Sequence, residues 1–193
     1  MMILGACIHA AHAKYSVTDL FQQCAPNVAP ETLRTVIAIE SSGNPYAIAI
    51  VGQRVTTPPK TEKNAIDMTK ALEAQGLNYS VGLMQINKSN FARYGLTIDT
   101  AFDVCKNLNV GARILESCFM SAKKTASKSD QLALRHALSC YYSGNFTRGY
   151  VKENGKSYLD KVENVVSNYS VPKIENLPKD DNAKNKEEVK DKK

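Results

Sequence analysis

With 193 residues, 43% of them hydrophobic, the chain holds enough apolar material for one cored domain plus ends. Its net charge of +6 comes from scattered Lys and Arg, with no basic run interleaved with aromatics, which excludes a nucleic-acid-binding stripe. Past the first residues, no apolar stretch has the length of a bilayer span.

The first residues read as a targeting segment. Met1 to Ile8 is apolar, and Ala11-His12-Ala13 has the small-x-small form of a signal-peptidase site, so residues 1–13 are expected to be a leader that directs export to the periplasm. Leu4-Gly5-Ala6-Cys7 also has the form of a lipoprotein cleavage box. Residues 14–171 then form the domain. From 172 to 193 Lys, Asp, Glu and Asn dominate with mixed sign and no aromatics, which predicts a solvated, disordered tail.

The domain reads as mainly α. Spacing predicts a helix over residues 30–41, with Pro30 in the first turn and Glu31 at its positive end. Residues 48–59, with β-branched side chains, Gly52 and Pro58-Pro59, predict a loop or small hairpin. Thr61 is placed to cap a helix carrying Ala65, Met68, Ala71 and Leu72 inward and ending at Gly76. A short helix near 89–94 stops at Gly95. Asp103 opens a long helix with Leu108, Ala112, Leu115 and Phe119 on one face, and Asp130 opens another with Leu134, Ala137, Leu138 and Tyr141 inward, ending at Gly144. The last helix carries Tyr158, Val162, Val165 and Tyr169, and Pro172 closes it.

Removing the leader leaves Cys24, Cys105, Cys118 and Cys140. If residues 104–120 are one helix, Cys105 and Cys118 lie about 20 Å apart along its axis, at roughly 1.5 Å rise per residue, too far to bridge. If all four pair, Cys24 therefore takes one of the two and Cys140 the other; buried thiols are the alternative.

One residue breaks the apolar pattern. Leu33, Val36 and Ile37 form a helical stripe whose next position is Glu40, just before the stop signal Ser41-Ser42-Gly43-Asn44-Pro45. Burial and the negative end of the helix dipole both favour the protonated carboxyl, which is the form a general acid needs. An exposed Glu in a fraying last turn is the ordinary alternative. Two polar clusters accompany it. In Gly82-Leu83-Met84-Gln85-Ile86-Asn87, the polar Gln85 and Asn87 alternate with apolar anchors, and Gly82 permits a ligand to approach the backbone closely. Tyr141-Tyr142-Ser143-Gly144-Asn145 offers rings with hydroxyl handles for stacking on a sugar. After the leader only His136 remains of three histidines, so zinc-type clusters are unsupported and no metal or cofactor is expected. His136 itself reads as structural.

Glu40-Ser41, then Gly-Leu-Met-Gln at 82–85, then Cys140-Tyr141-Tyr142-Ser143-Gly144, in that order, resembles the soluble lytic transglycosylase family over about residues 18–169. The segment at about 53–77, the Cys-Ala-Pro run at Cys24 and Gly-Leu-Met-Gln-Ile-Asn are similar to the branch that accompanies type IV secretion and conjugation machines. The resemblance implies a lysozyme-like, goose-type domain that cleaves the MurNAc–GlcNAc bond of peptidoglycan without water, forming a 1,6-anhydro ring. It implies Glu40 as the single catalytic acid/base, with Ser41 supporting it, and Gln85 as a contact to N-acetyl sugar. Tyr141 would orient Glu40, and Gly82, Met84, Asn87 and Tyr142 would line the substrate. None of Asp67, Glu73 and Asp99 is expected to be a second catalyst. Two positions depart from the family pattern: Tyr142 stands where Asn is usual, and Cys140 where Ala is usual. Glycan strands, and components of a secretion machine, are the implied partners. The rival readings are a wall-binding assembly factor with dispensable catalysis, a lysozyme-type hydrolase and a cysteine peptidase of the wall.

Overall fold

The computed structural model describes residues 16–53, 55–125 and 129–168. The expected leader, the charged tail, Tyr169 and Pro172 lie outside the described residues. Seven α-helices are described: α1 (Val17–Cys24), α2 (Pro30–Glu40), α3 (Glu62–Ala74), α4 (Phe91–Tyr94), α5 (Val104–Thr125), α6 (Asp130–Ser143) and α7 (Tyr158–Ser167). Three short strands, β1 (Ile48–Ile50), β2 (Tyr79–Val81) and β3 (Ile86–Asn87), make one antiparallel sheet in the order β1-β2-β3.

Most helix ends follow from local chemistry. Thr61 Oγ1 accepts from Asn64 N–H at the start of α3, and Ser129 Oγ accepts from Leu132 N–H at the start of α6. Asp103 Oδ1 accepts from Lys106 N–H at the start of α5. Gly95 and Gly144 adopt left-handed conformations that end α4 and α6. Helix α1 went unread in the sequence, although Ser16 and Asp19 form a reciprocal capping box at its start. At eight residues it is shorter than the window of roughly 11 residues over which a helical period stands out from chance.

The segment after Ile48 is not a self-contained hairpin. Ile48, Ala49 and Ile50 pair with Val81, Ser80 and Tyr79, on the far side of α3. An adjacent-strand reading misses this pairing because the whole α3 insertion lies between the partners. In α3 the buried set is Ala65, Thr69 and Leu72, while Ala71 is exposed. Thr69 can be buried because its hydroxyl donates to Ala65 C=O at 2.8 Å.

The core gathers α1, α2, α5, α6 and α7 around Leu33, Val36, Leu108, Leu115 and Ala137. Two disulfides tie it: Cys24–Cys105 joins the end of α1 to α5, and Cys118–Cys140 joins α5 to α6. The pairing matches the constraint that Cys105 and Cys118 share one helix, and the structure settles which of them Cys24 takes. No helix among the described residues is long and apolar enough to cross a membrane.

Candidate active site

A groove of about 680 Å³ runs between the sheet on one side and α5 and α6 on the other. Its lining includes Glu40, Ser80, Gln85, Asn87, Arg93, Cys118, Tyr141 and Tyr142. Glu40, the last residue of α2, is the one carboxylic acid among these lining residues, and it is half-buried. The hydroxyl of Tyr158, from the first turn of α7, donates to Glu40 Oε1 at 2.7 Å. Burial pushes the Glu40 carboxyl up from its ordinary value, and this outweighs the lowering by the Tyr158 hydroxyl and the Lys161 ammonium. Ser41 fixes the chain just beyond. Its Oγ donates to Ile37 C=O at 3.2 Å and accepts from Gly43 N–H at 3.2 Å.

The opposite wall is the tight turn between β2 and β3. Gln85 has a φ of 47°, a conformation rare outside glycine, and its side-chain amide Nε2 donates to Ala47 C=O at 3.1 Å and Gly82 C=O at 3.0 Å. Both amide hydrogens are engaged, so the Oε1 acceptor is what the side chain has left for a ligand. Asp67, Asp99 and Glu73 do not line the groove; they pair with Lys63, Lys70 and Lys88.

A family model described as "Transglycosylase SLT domain" matches residues 20–165. The chain belongs to this family. Among relatives, the type IV secretion system protein virB1 of Brucella suis biovar 1 is 47% identical over 144 residues, 74% of this chain and 60% of that protein. Protein virB1 of Agrobacterium fabrum is 38% identical over 165 residues, 84% of this chain and 64% of its own length. Protein virB1 of Rhizobium radiobacter is 35% identical over 174 residues, 86% of this chain and 67% of its own length. The chain thus spans about three fifths of the length of the Brucella relatives it matches. No solved structure matches it.

Within this SLT domain several expected ligand contacts turn out to hold the protein together. Gly82 has a φ of 81°, and a Cβ built on it would lie 2.2 Å from Asn107 Nδ2, so its missing side chain admits Asn107 and not a ligand. Met84 is wholly buried and does not line the groove. Its side chain fills the space over Gly111, where an added Cβ would lie 2.6 Å from Met84 Cβ. Asn87 lines the groove, but both ends of its amide are engaged. Nδ2 donates to Asn78 Oδ1 and Tyr79 C=O, and Oδ1 accepts from the Ser89 N–H and hydroxyl.

The tyrosines divide their work differently from the sequence expectation. Tyr141 donates its hydroxyl to Met84 C=O at 2.6 Å, across the groove floor, and so fixes the Gln85 turn to α6. The partner of Glu40 is Tyr158, which the sequence offered only as a member of the apolar stripe on the last helix. The Tyr142 ring stacks on Tyr158, with centroids 4.6 Å apart and planes at 16°, and remains 41% exposed. Burial and the nearby Glu40 charge push the Tyr141 and Tyr158 hydroxyls well above the usual phenol value, so both remain donors.

Asn107 was also missed. It is buried in α5, accepts from Met84 N–H at 2.8 Å, and donates to Val81 C=O at 3.0 Å and Ala101 C=O at 2.9 Å. An asparagine on an otherwise apolar helix face was the signal available for it. His136 packs its ring near Phe146 and Tyr150, at 6.0 and 5.9 Å between centroids. The four cysteines among the described residues are all in disulfides, so none of them is a thiol nucleophile.

Proposed function

We propose that the domain is a peptidoglycan lytic transglycosylase in which Glu40 alone serves as acid and then base. The observation that carries this reading is the half-buried Glu40 in a groove lined, among the described residues, by no second carboxylic acid. Hydrolytic glycosidases of the common type need two.

Tyr158 donates to Oε1, which fixes the plane of the carboxyl and leaves Oε2 as the oxygen that carries the transferable proton. Oε2–H protonates the oxygen joining N-acetylmuramic acid to N-acetylglucosamine, and the C1–O bond breaks. The acetamido oxygen of the substrate stabilises the developing positive charge at C1. Glu40, now ionised and bonded to Tyr158, takes the proton from the C6 hydroxyl, and O6 closes on C1. Glu40 ends protonated as it began, and water enters no step. Gln85 Oε1 suits the N–H of an acetamido group, and the exposed face of Tyr142 suits a sugar ring.

The Brucella relatives, named as type IV secretion system protein virB1, support a place beside such a machine, where local opening of the wall is needed. A periplasmic location accords with the leader-like residues 1–13 and the two disulfides. Mass spectrometry of digested cell wall tests the chemistry. Anhydro-muramoyl ends are expected. Reducing ends would make the enzyme a lysozyme-type hydrolase, and tight binding without products would make it an assembly factor.

A further inference from the structure

The groove extends beyond what the acid, Gln85 and Tyr142 account for. Arg93 and Tyr94, at the end of α4, line it, as do Ile114, Ser117 and Ser121 of α5. Arg113, Ser117 and Ser121 are spaced at i, i+4 and i+8, so Arg113 continues the same face of α5 by one more turn. All three are exposed. The Arg93 guanidinium carbon lies 5.5 Å from the Tyr94 ring centroid, and that of Arg113 lies 5.1 Å from the same centroid. Two like charges are thus gathered at one ring, and neither has a carboxylate partner among the described residues. Every other arginine with a described ion pair sits on a glutamate, as Arg135 does on Glu163 and Arg148 on Glu153. The convergence of two unpaired guanidiniums is relieved by an anion that both can reach. Apart from Glu40, Arg93 is the one charged side chain among the described residues of the lining.

We propose that Arg93 and Arg113, set against Tyr94, form a subsite for the carboxylates of a peptide carried by the glycan strand, with the Ser117 and Ser121 hydroxyls bonding its backbone. The inference rests on the transglycosylase reading and deepens it. While a peptide is attached, the lactyl carboxyl of each muramic acid is tied up in an amide, and the free carboxylates lie out along the peptide; removing the peptide leaves one carboxylate, held close to the sugar ring. The enzyme therefore selects strands that still carry their peptides over strands already stripped of them.

The test measures binding by the Glu40→Gln protein to two soluble pools from one glycan preparation, one with intact peptides and one stripped by an amidase and then capped as methylamides at the lactyl carboxylates that the cut exposes. The peptide-bearing pool is expected to bind about fivefold more tightly, as suits two exposed charge contacts. That ratio should fall as salt rises from about 50 to 300 mM and approach one when Arg93→Gln and Arg113→Gln are added. Equal affinity for both pools, or a preference that survives the double substitution, overturns the subsite and leaves the transglycosylase reading standing. Failure to bind either pool overturns both.

Discussion

The two walls of the groove are built by opposite means. Glu40 is positioned by a residue 118 positions away, since Tyr158 comes from the last described helix. Gln85 is positioned by its own neighbourhood: a strained turn, the Gly82 carbonyl three residues back and the Ala47 carbonyl on the paired strand segment. The first wall shapes a proton's energy, because burial and a phenol set how readily the carboxyl ionises. On the proposed reading the second wall serves grip, because its tied amide presents one acceptor in a fixed direction. Tyr141 and Asn107 join the two, by holding the Met84 carbonyl to α6 and the Met84 N–H to α5.

If this division is right, the variants separate by what they change. Glu40→Gln should lower turnover by at least about a thousandfold, in line with loss of a general acid/base, with the fold intact by circular dichroism. Full activity would sink the assignment. The same variant carries a stability signature. A carboxyl whose value is raised on folding contributes fully below its unfolded value, near 4.5, and loses that contribution as pH rises through the folded value. Glu40→Gln should therefore match or exceed the parent in thermal midpoint near neutrality, with the gap closing in acid.

Asn107→Ala strikes the junction between the walls. It leaves a buried N–H and two buried carbonyls without their partner, and should cost about 3 kcal/mol in denaturant unfolding. An unchanged midpoint would show that the turn does not depend on α5.

Tyr158→Phe should reduce turnover about tenfold by freeing the carboxyl plane. Because the phenol bond lowers the Glu40 value, its removal should move the alkaline limb of the kcat/KM profile to higher pH. A limb that stays in place would reduce Tyr158 to packing. Gln85→Ala, on the other wall, should raise KM about fivefold through loss of one hydrogen bond, with little change in kcat. A large kcat loss there would blur the division between proton control and grip.

How far the sequence reached follows the same line. The stop after Glu40, the Thr61 cap and the glycine ends at 95 and 144 were legible because each depends on residues within a turn of it. The disulfide pairing was narrowed by rise per residue alone. The pairing of β1 with β2 was not legible, since α3 separates partners that only the folded sheet brings together. Met84, Gly82 and Asn87 sat in a motif that pointed at substrate, yet the structure uses them to fix the turn that presents Gln85. A short motif carries the scaffold of a site along with its contacts, and spacing does not tell the two apart.

By itself the sequence determined the longer helices, most of their ends and an acid placed on an apolar stripe, because periodicity and capping are local properties of the chain. Only the tertiary structure decided which phenol holds that acid, which tyrosine latches the opposite turn and which cations are left unpaired. Those outcomes depend on side chains that meet across dozens of residues, and no local pattern records the meeting.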